Sequence, residues 1–179
     1  EKNGSTAFAV YGYMNRGAHE GEVGVDIYYY DIEKNVVQEK AFIPSTKSFA
    51  IAEEELGKMV YYNQDQNLLY ILAGGKFYKI DLTKDEQTVL AKNLEEGQYT
   101  VSADGHLIAY QTSGTINTAQ EIKVLNLKTD EENAVAAKSG EAIRPLGFIG
   151  SDFVYGYLRQ EDVGHTAAGG ELFPMYELE

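Results

Sequence analysis

The chain has 179 residues, no cysteine, and 28 acidic against 15 basic residues, a formal net charge of −13. That charge repels phosphate backbones and anionic bilayers, so nucleic acid is excluded as a partner; the missing cysteines exclude disulfides, zinc–thiolate sites and thiol nucleophiles. A 44% hydrophobic content with 14 Tyr, 7 Phe, 18 Gly and only 3 Pro predicts a folded chain of short strands and tight turns.

Taken in chain order, the first unit spans about residues 1–45. It begins near an alternating run, Phe8–Tyr13, continues through a Gly-rich loop, Asn15–Gly24, and reaches a strand in Ile27–Glu33. The second unit, about 46–95, opens on Ile51–Lys58. This segment contains good helix formers but is short, and it reads as a strand plus turn, with no helix of more than two turns. Met59–Tyr62 and Leu68–Leu72 follow around the polar turn Asn63–Asn67. The continuous apolar character of Leu68–Leu72 suits a strand buried on both faces. Gly74-Gly75 is a hairpin turn rather than a phosphate cradle, because no helix follows it, and Phe77–Thr83 is the next strand.

The third unit, about 96–140, gives four strands: Gln98–Ser102, Leu107–Thr112, Glu121–Leu127 and Ala134–Lys138. The fourth, about 141–179, carries Phe153–Tyr157, a long loop over Arg159–Glu171, and a strand in Leu172–Leu178. Two markers recur with one period. Asp31, Asp81, Asn126 and Glu177 are spaced 50, 45 and 51 residues apart, and Tyr11, Tyr61, Tyr110 and Tyr155 are spaced 50, 49 and 45. Units of this length filled by four antiparallel strands are the blades of a β-propeller. The expectation is therefore an all-β, β-propeller-like array of about four antiparallel blades within a single domain, holding three, four, four and three strands. The incomplete first and last units predict a fragment of a larger propeller. Their open blade edges predict self-association, which salt strengthens by screening the acidic charge. The predicted core comprises Tyr28, Tyr30, Phe77, Ile80, Leu107, Ala109, Ile122, Val124, Phe153 and Tyr155.

The third unit carries a family resemblance. Val101-Ser102-Ala103-Asp104-Gly105-His106-Leu107-Ile108-Ala109-Tyr110, followed by Glu121–Leu127, resembles the WD40-like repeat of TolB-type propellers. The second unit, in Leu69-Tyr70 and Gly75–Leu82, is similar to blades of bacterial surface propellers of unknown function. Units one and four depart from the pattern, with Ile149-Gly150-Ser151-Asp152 standing where unit four should carry Ser-x-Asp-Gly. The resemblance implies a bacterial, extracytoplasmic or cell-surface location. The chain begins at Glu1 rather than Met, so a signal or anchor is expected to have been removed with an N-terminal segment. No apolar run approaches the ~20 residues of a transmembrane helix.

Candidate chemistry is concentrated in the two long loops. Each has an Arg just after a strand, a central His and an acid: Arg16, His19 and Glu20 in the first unit, and Arg159, His165 and Glu171 in the fourth. One reading is a pair of related ligand-binding loops, in which the histidines contact ligand or move protons. The other is a pair of flexible loops with solvated histidines. If the loops form one site, units one and four adjoin. Asn63–Asn67 places oxygen ligands at alternate positions but lacks the Gly and downstream Glu of a calcium loop, so no metal site is expected. Ser102, Asp104 and His106 form a turn rather than a triad, because alternate residues there do not converge. No catalytic residue and no cofactor are expected. The sequence thus predicts a non-catalytic propeller module binding a protein or small ligand. The alternative is a regulatory propeller domain of a multidomain hydrolase or peptidase.

Overall fold

A computed structural model describes residues 4–179. The architecture is all-β: four antiparallel sheets follow one another in sequence order, the first three simple meanders, and a separate two-stranded pair lies within the last. The first is β1 (Thr6–Tyr13), β2 (Val23–Asp31) and β3 (Val36–Pro44). A helix, α1 (Phe49–Lys58), precedes the second sheet of β4 (Val60–Asn63), β5 (Leu68–Ala73), β6 (Lys76–Asp81) and β7 (Glu86–Ala91). The third holds β8 (Tyr99–Val101), β9 (Leu107–Gln111), β10 (Glu121–Asn126) and β11 (Glu131–Ala136). The fourth joins β12 (Glu141–Ile149) and β13 (Asp152–Arg159) to a later strand. A 3₁₀ turn (Gln160–Asp162) and a two-residue pair, β14 (Gly164–His165) with β15 (Glu171–Leu172), intervene before that strand, β16 (Met175–Leu178). The four sheets hold three, four, four and three strands among the described residues, as the repeat predicts. The chain divides at Leu90/Ala91 into two compact units larger than the sequence repeats, the first unit holding the first two sheets and the second unit the last two.

The periodic acidic or amide positions have a geometric role. The Asp31 Oδ1 accepts the backbone N–H groups of Glu33 and Lys34. Asp81 does the same for Thr83 and Lys84, and Asn126 for Lys128 and Thr129. Four residues beyond each, Asn35, Asp85 and Asp130 take positive φ of 53°, 58° and 62°, a conformation that Asn and Asp adopt more readily than other side chains. The same side-chain-capped turn therefore closes the β2–β3, β6–β7 and β10–β11 hairpins. Glu177 lies inside β16, opposite Tyr157.

In the first unit the two sheets share a core of Val25, Ile27, Ile43, Leu69, Ile71 and Ile80. Each such side chain contributes about 1.5–3 kcal/mol when fully buried. In the second unit Ala109, Ile122 and Ile143 form the centre, with Phe148, Phe153, Tyr155 and Tyr157 packed around it. A buried amide bridge ties the third sheet to the fourth. Gln98 Nε2 donates to Gln111 Oε1 at 3.0 Å, and Gln111 Nε2 donates to the carbonyls of Ile143 at 2.7 Å and Ile116 at 3.1 Å.

Three expectations are corrected. Residues 49–58 form a ten-residue helix, not a strand plus turn. The Ser48 hydroxyl caps it by accepting the Ile51 N–H, Ala52 faces inward, and a Glu54–Lys58 ion pair lies along its surface. Cap and tertiary packing stabilise a helix that its length alone would leave marginal. The predicted core is right for Phe77, Ile80, Ala109 and Ile122, which are fully buried. Val124, Phe153 and Tyr155 are partly buried and pack against the core of the second unit, whereas Tyr28, Tyr30 and Leu107 are only half-buried. In β2 the phase of alternation puts Val25 and Ile27 inward and the two tyrosines on the opposite face; in β9, Ile108 and Tyr110 are closed over while Leu107 borders the turn. Strand limits also move. β11 starts at Glu131 rather than Ala134, because the Asn126 turn closes within four residues, and β16 starts at Met175 because Glu171–Leu172 pair instead with Gly164–His165.

Candidate functional site

The first-unit loop is held by its own backbone. Met14 N–H donates to Glu22 C=O and Gly21 N–H to Met14 C=O, both at 2.8 Å, while Glu22 N–H donates to His19 C=O at 3.0 Å. Gly17 and Gly21, at φ of +92° and +91°, supply the left-handed turns this closure requires. The fold presses His19 onto Phe42 of β3, ring centroids 4.1 Å apart and nearly parallel. Its Nδ1 lies 3.4 Å from a Glu22 carboxylate oxygen and its Nε2 3.6 Å from one of Glu39. His19 is thus seated between two carboxylates on the sheet, whereas Arg16 and Glu20 are exposed on the outer rim of the loop.

Beside this loop, at the ends of β2 and β3, lies a cleft of about 590 Å³, lined chiefly by Glu22, Ser45, Thr46, Lys47, Gly74 and Lys76, with Val23 and Pro44 as its apolar part. Its walls are pinned. Ser45 N–H donates to Val23 C=O at 2.9 Å, Lys47 N–H to Ser45 Oγ at 3.3 Å, and the Tyr11 hydroxyl to Lys47 C=O at 2.6 Å. On the far wall the Glu55 carboxylate of α1 accepts the N–H groups of Gly74 and Gly75 at 2.6 and 3.1 Å. That glycine turn is a hairpin, as its sequence predicts, and its amides are taken by the chain's own carboxylate. Two lysines, Ser45, Thr46 and Glu22 thus line one cleft whose backbone is held by these hydrogen bonds.

The loop over Arg159–Glu171 lies in the second of the two compact units. Arg159 is exposed; its guanidinium lies 4.6 Å from the centroid of the Tyr176 ring and 3.9 Å from Asp162. His165 is exposed in β14. Glu171 is in β15, and its side chain lies outside the described residues. A hollow of about 290 Å³ between Ser139, Gly140, Glu141, Arg159 and Glu161 opens beside Arg159. A hydrogen bond to Glu141 pushes the Tyr176 phenol up to about 12.

The remaining motifs are structural. Ser102 Oγ donates to Asp104 at 2.6 Å and accepts the Leu107 N–H, and Asp104 also accepts the His106 N–H. His106 Nδ1 lies 3.3 Å from the other Asp104 oxygen, so, contrary to expectation, the three side chains do meet, with the carboxylate between the serine and the imidazole. These bonds, that from Ser102 foremost, hold the Asp104 carboxyl down at about 2. In Asn63–Asn67, Asn63 Oδ1 accepts the Gln66 N–H and its amide donates to Gln66 Oε1. Sequence reasoning located the first loop but missed Lys47, Lys76 and Glu55. Their signal was confined to the Ser45-Thr46-Lys47 turn and to Lys76 after the glycine pair, which nothing in the sequence joins.

No family model and no curated protein matches the chain. Solved structures with some similarity include the tricorn protease, at 14% identity over 94% of this chain and 16% of that one, TM-score 0.38. Dipeptidyl peptidase 4 of Porphyromonas gingivalis shows 9% identity over 88% and 33%, TM-score 0.35. TolB from Acinetobacter baumannii shows 14% over 98% and 57%, TM-score 0.28. The chain spans less than two thirds of the length of each. At these values the architecture rests on the strand pairing itself.

Proposed function

We propose that the chain is a non-catalytic binding module whose ligand is a small molecule seated in the strand-end cleft of the first unit. The ligand class is one with a carboxylate or phosphate at one end and a neutral or cationic group at the other. The observation that carries this reading is the placement of Lys47 and Lys76 on one preformed cleft in a protein of net charge −13. A volume of about 590 Å³ suits a metabolite-sized ligand. The two ammonium groups attract its anionic end, the Ser45 and Thr46 hydroxyls donate to it, and Glu22 repels a second negative charge. The hydrogen bonds that pin both walls favour binding by limiting the order that must be imposed on association. The extracytoplasmic location belongs to this reading and is supported by the sequence resemblance alone; fractionation of the producing cell tests it.

Thermal unfolding tests the binding itself. A ligand that binds the folded state raises Tm with concentration. Glutamate, phosphate and citrate are the probes, with glutamine as the control that lacks the side-chain charge. The reading predicts a rise with glutamate or phosphate that Lys47→Gln plus Lys76→Gln removes, while the unliganded Tm stays put because both lysines are exposed. Equal rises in wild type and double variant would sink it.

A further inference from the structure

Backbone hydrogen bonds fix which edge of the first sheet is open. Met14 N–H donates to Glu22 C=O, and Ser45 N–H to Val23 C=O. Bonding alternates along an antiparallel strand, so Glu22, Gly24, Asp26 and Tyr28 turn their backbone to β1. Within β1 their partners are Gly12, Val10 and Phe8. The N–H and C=O groups of Ala7, Ala9 and Tyr11 therefore point away from β2, and no described residue takes them.

The next two sheets show what belongs at that edge. Thr6, Leu69 and Ile108 are equivalent, each standing opposite the residue just before the turn-closing Asp31, Asp81 or Asn126. Three residues further along the same strands are Ala9, Leu72 and Gln111. Leu72 N–H donates to Met59 C=O, and Gln111 N–H to Gln98 C=O; these acceptors lie just before the antiparallel strands β4 and β8. The first sheet ends at β1 and offers Ala9 N–H no such acceptor. Nor is this edge guarded. Thr6–Tyr13 holds no charged residue and no proline, the devices by which folded chains blunt an exposed edge. Phe8 and Val10 are 40% and 46% exposed on its outer face, while Ala7 and Ala9, turned to the core, cover it with a methyl group each.

We propose that the open edge of β1, over Thr6–Val10, takes an extended segment of another polypeptide as an antiparallel fourth strand. The segment is uncharged and about as long as β4 and β8. Its backbone exchanges hydrogen bonds with Ala7 and Ala9, and one bulky apolar side chain turns inward over the two alanines. The Tyr11 end of the edge is less accessible, since Tyr11 meets Phe49 of α1 at 6.0 Å and its hydroxyl donates to Lys47 C=O. A second copy fits poorly. It would pair β1 with β1 about a twofold axis normal to the sheet and bring its own α1 and second sheet to the same side as this chain's. Those layers already pack under β1 and β2, through Phe49 on Tyr11 and Tyr62 on Tyr29, so the two sets would collide; a single segment brings no such layer. None of Thr6–Val10 lines the cleft, so either site can fail without the other.

The test uses the whole chain and two capped peptides, Thr-Val-Tyr-Val-Thr and the same peptide N-methylated at Tyr. Amide chemical shifts and hydrogen exchange follow binding, and urea unfolding follows stability. In the free chain the Ala7 and Ala9 amides should exchange at least about tenfold faster than those of Phe8 and Val10, which are bonded to β2. The unmodified peptide should shift Ala7–Val10 saturably and slow the Ala7 and Ala9 amides. The N-methylated one should bind at least about tenfold more weakly, having lost one backbone donor. Ala9→Pro removes only an outward N–H; it should abolish binding and leave the urea midpoint near that of wild type, while Val10→Pro lowers it. The N-methyl comparison decides in the wild-type chain whether or not that variant folds. Equal binding of the two peptides, or none, overturns the proposal. So does an Ala9 amide that exchanges as slowly as Val10 in the dilute free chain, which would show the edge already paired. Protection of Ala9 that grows with protein concentration, alongside a sedimenting dimer, would make a second copy the occupant and overturn it as well.

Discussion

Replacing Gln111 by Leu removes the middle of the amide bridge in the second unit. The side chain is 2% exposed and makes three contacts: it accepts from Gln98 and donates to the carbonyls of Ile143 and Ile116. The Ile143 carbonyl, on a fully buried residue, is the least able to find water. An unsatisfied buried polar group costs about 1–3 kcal/mol. With Ile143 C=O fully orphaned and the other two partly relaxed, the loss comes to about 3–4 kcal/mol. The extra apolar burial of leucine returns roughly 1 kcal/mol, leaving a net destabilisation of about 2–3 kcal/mol. With a urea slope of about 2 kcal/mol/M, the midpoint followed by far-ultraviolet circular dichroism should fall by ~1–1.5 M. An unchanged or raised midpoint would show that the bridge contributes nothing and that this position favours an apolar side chain.

Glu55→Ala unties α1 from the Gly74-Gly75 turn, leaving two backbone N–H groups without their carboxylate; the midpoint should drop by an amount equivalent to about 1.5–3 kcal/mol, with helical ellipticity reduced. Phe153→Ala should cost less than the 3–5 kcal/mol typical of a fully buried phenylalanine, because Phe153 is half-buried between Phe148 and Tyr155; thermal unfolding measures it. The Tyr28 phenol is pushed up to about 12 by its hydrogen bond to Asp26, against 10.0 ordinarily. Since the fold favours the protonated phenol, this stabilisation is complete below pH 10 and is lost as pH rises from 10 towards 12. Tyrosinate absorbance of wild type minus Tyr28→Phe should show that one late step, and a difference step at ordinary pH 10 would contradict it.

What was legible in the sequence was whatever local rules decide. Asp31, Asp81 and Asn126 each close a turn with their own neighbours, so their period reports the architecture directly. The phase of a strand was less legible, since Tyr28 and Ile27 are equally good strand residues and only the packing of the second sheet against Val25 and Ile27 selects the inward face. The helix was missed because its stabilisation comes from the Ser48 cap and from Ala52 and Leu56 against the core, not from its length. For the site, the Asn15–Gly24 loop could be located from its glycines. Its chemistry could not: His19 finds Phe42 and Glu39 across about twenty residues of chain, Lys47 finds Tyr11 across 36, and Lys76 joins the cleft only through the second sheet.

The central claim is that the strand-end cleft of the first unit takes an anionic group between Lys47 and Lys76. The most direct measurement is a two-dimensional amide chemical-shift titration of the whole chain with glutamate, run alongside Lys47→Gln plus Lys76→Gln. Saturable shifts confined to Val23, Ser45, Thr46, Lys47, Gly74 and Lys76, and absent in the double variant, are the predicted result. Shifts that centre on Arg159 and Ser139, or that persist without the two lysines, would contradict it.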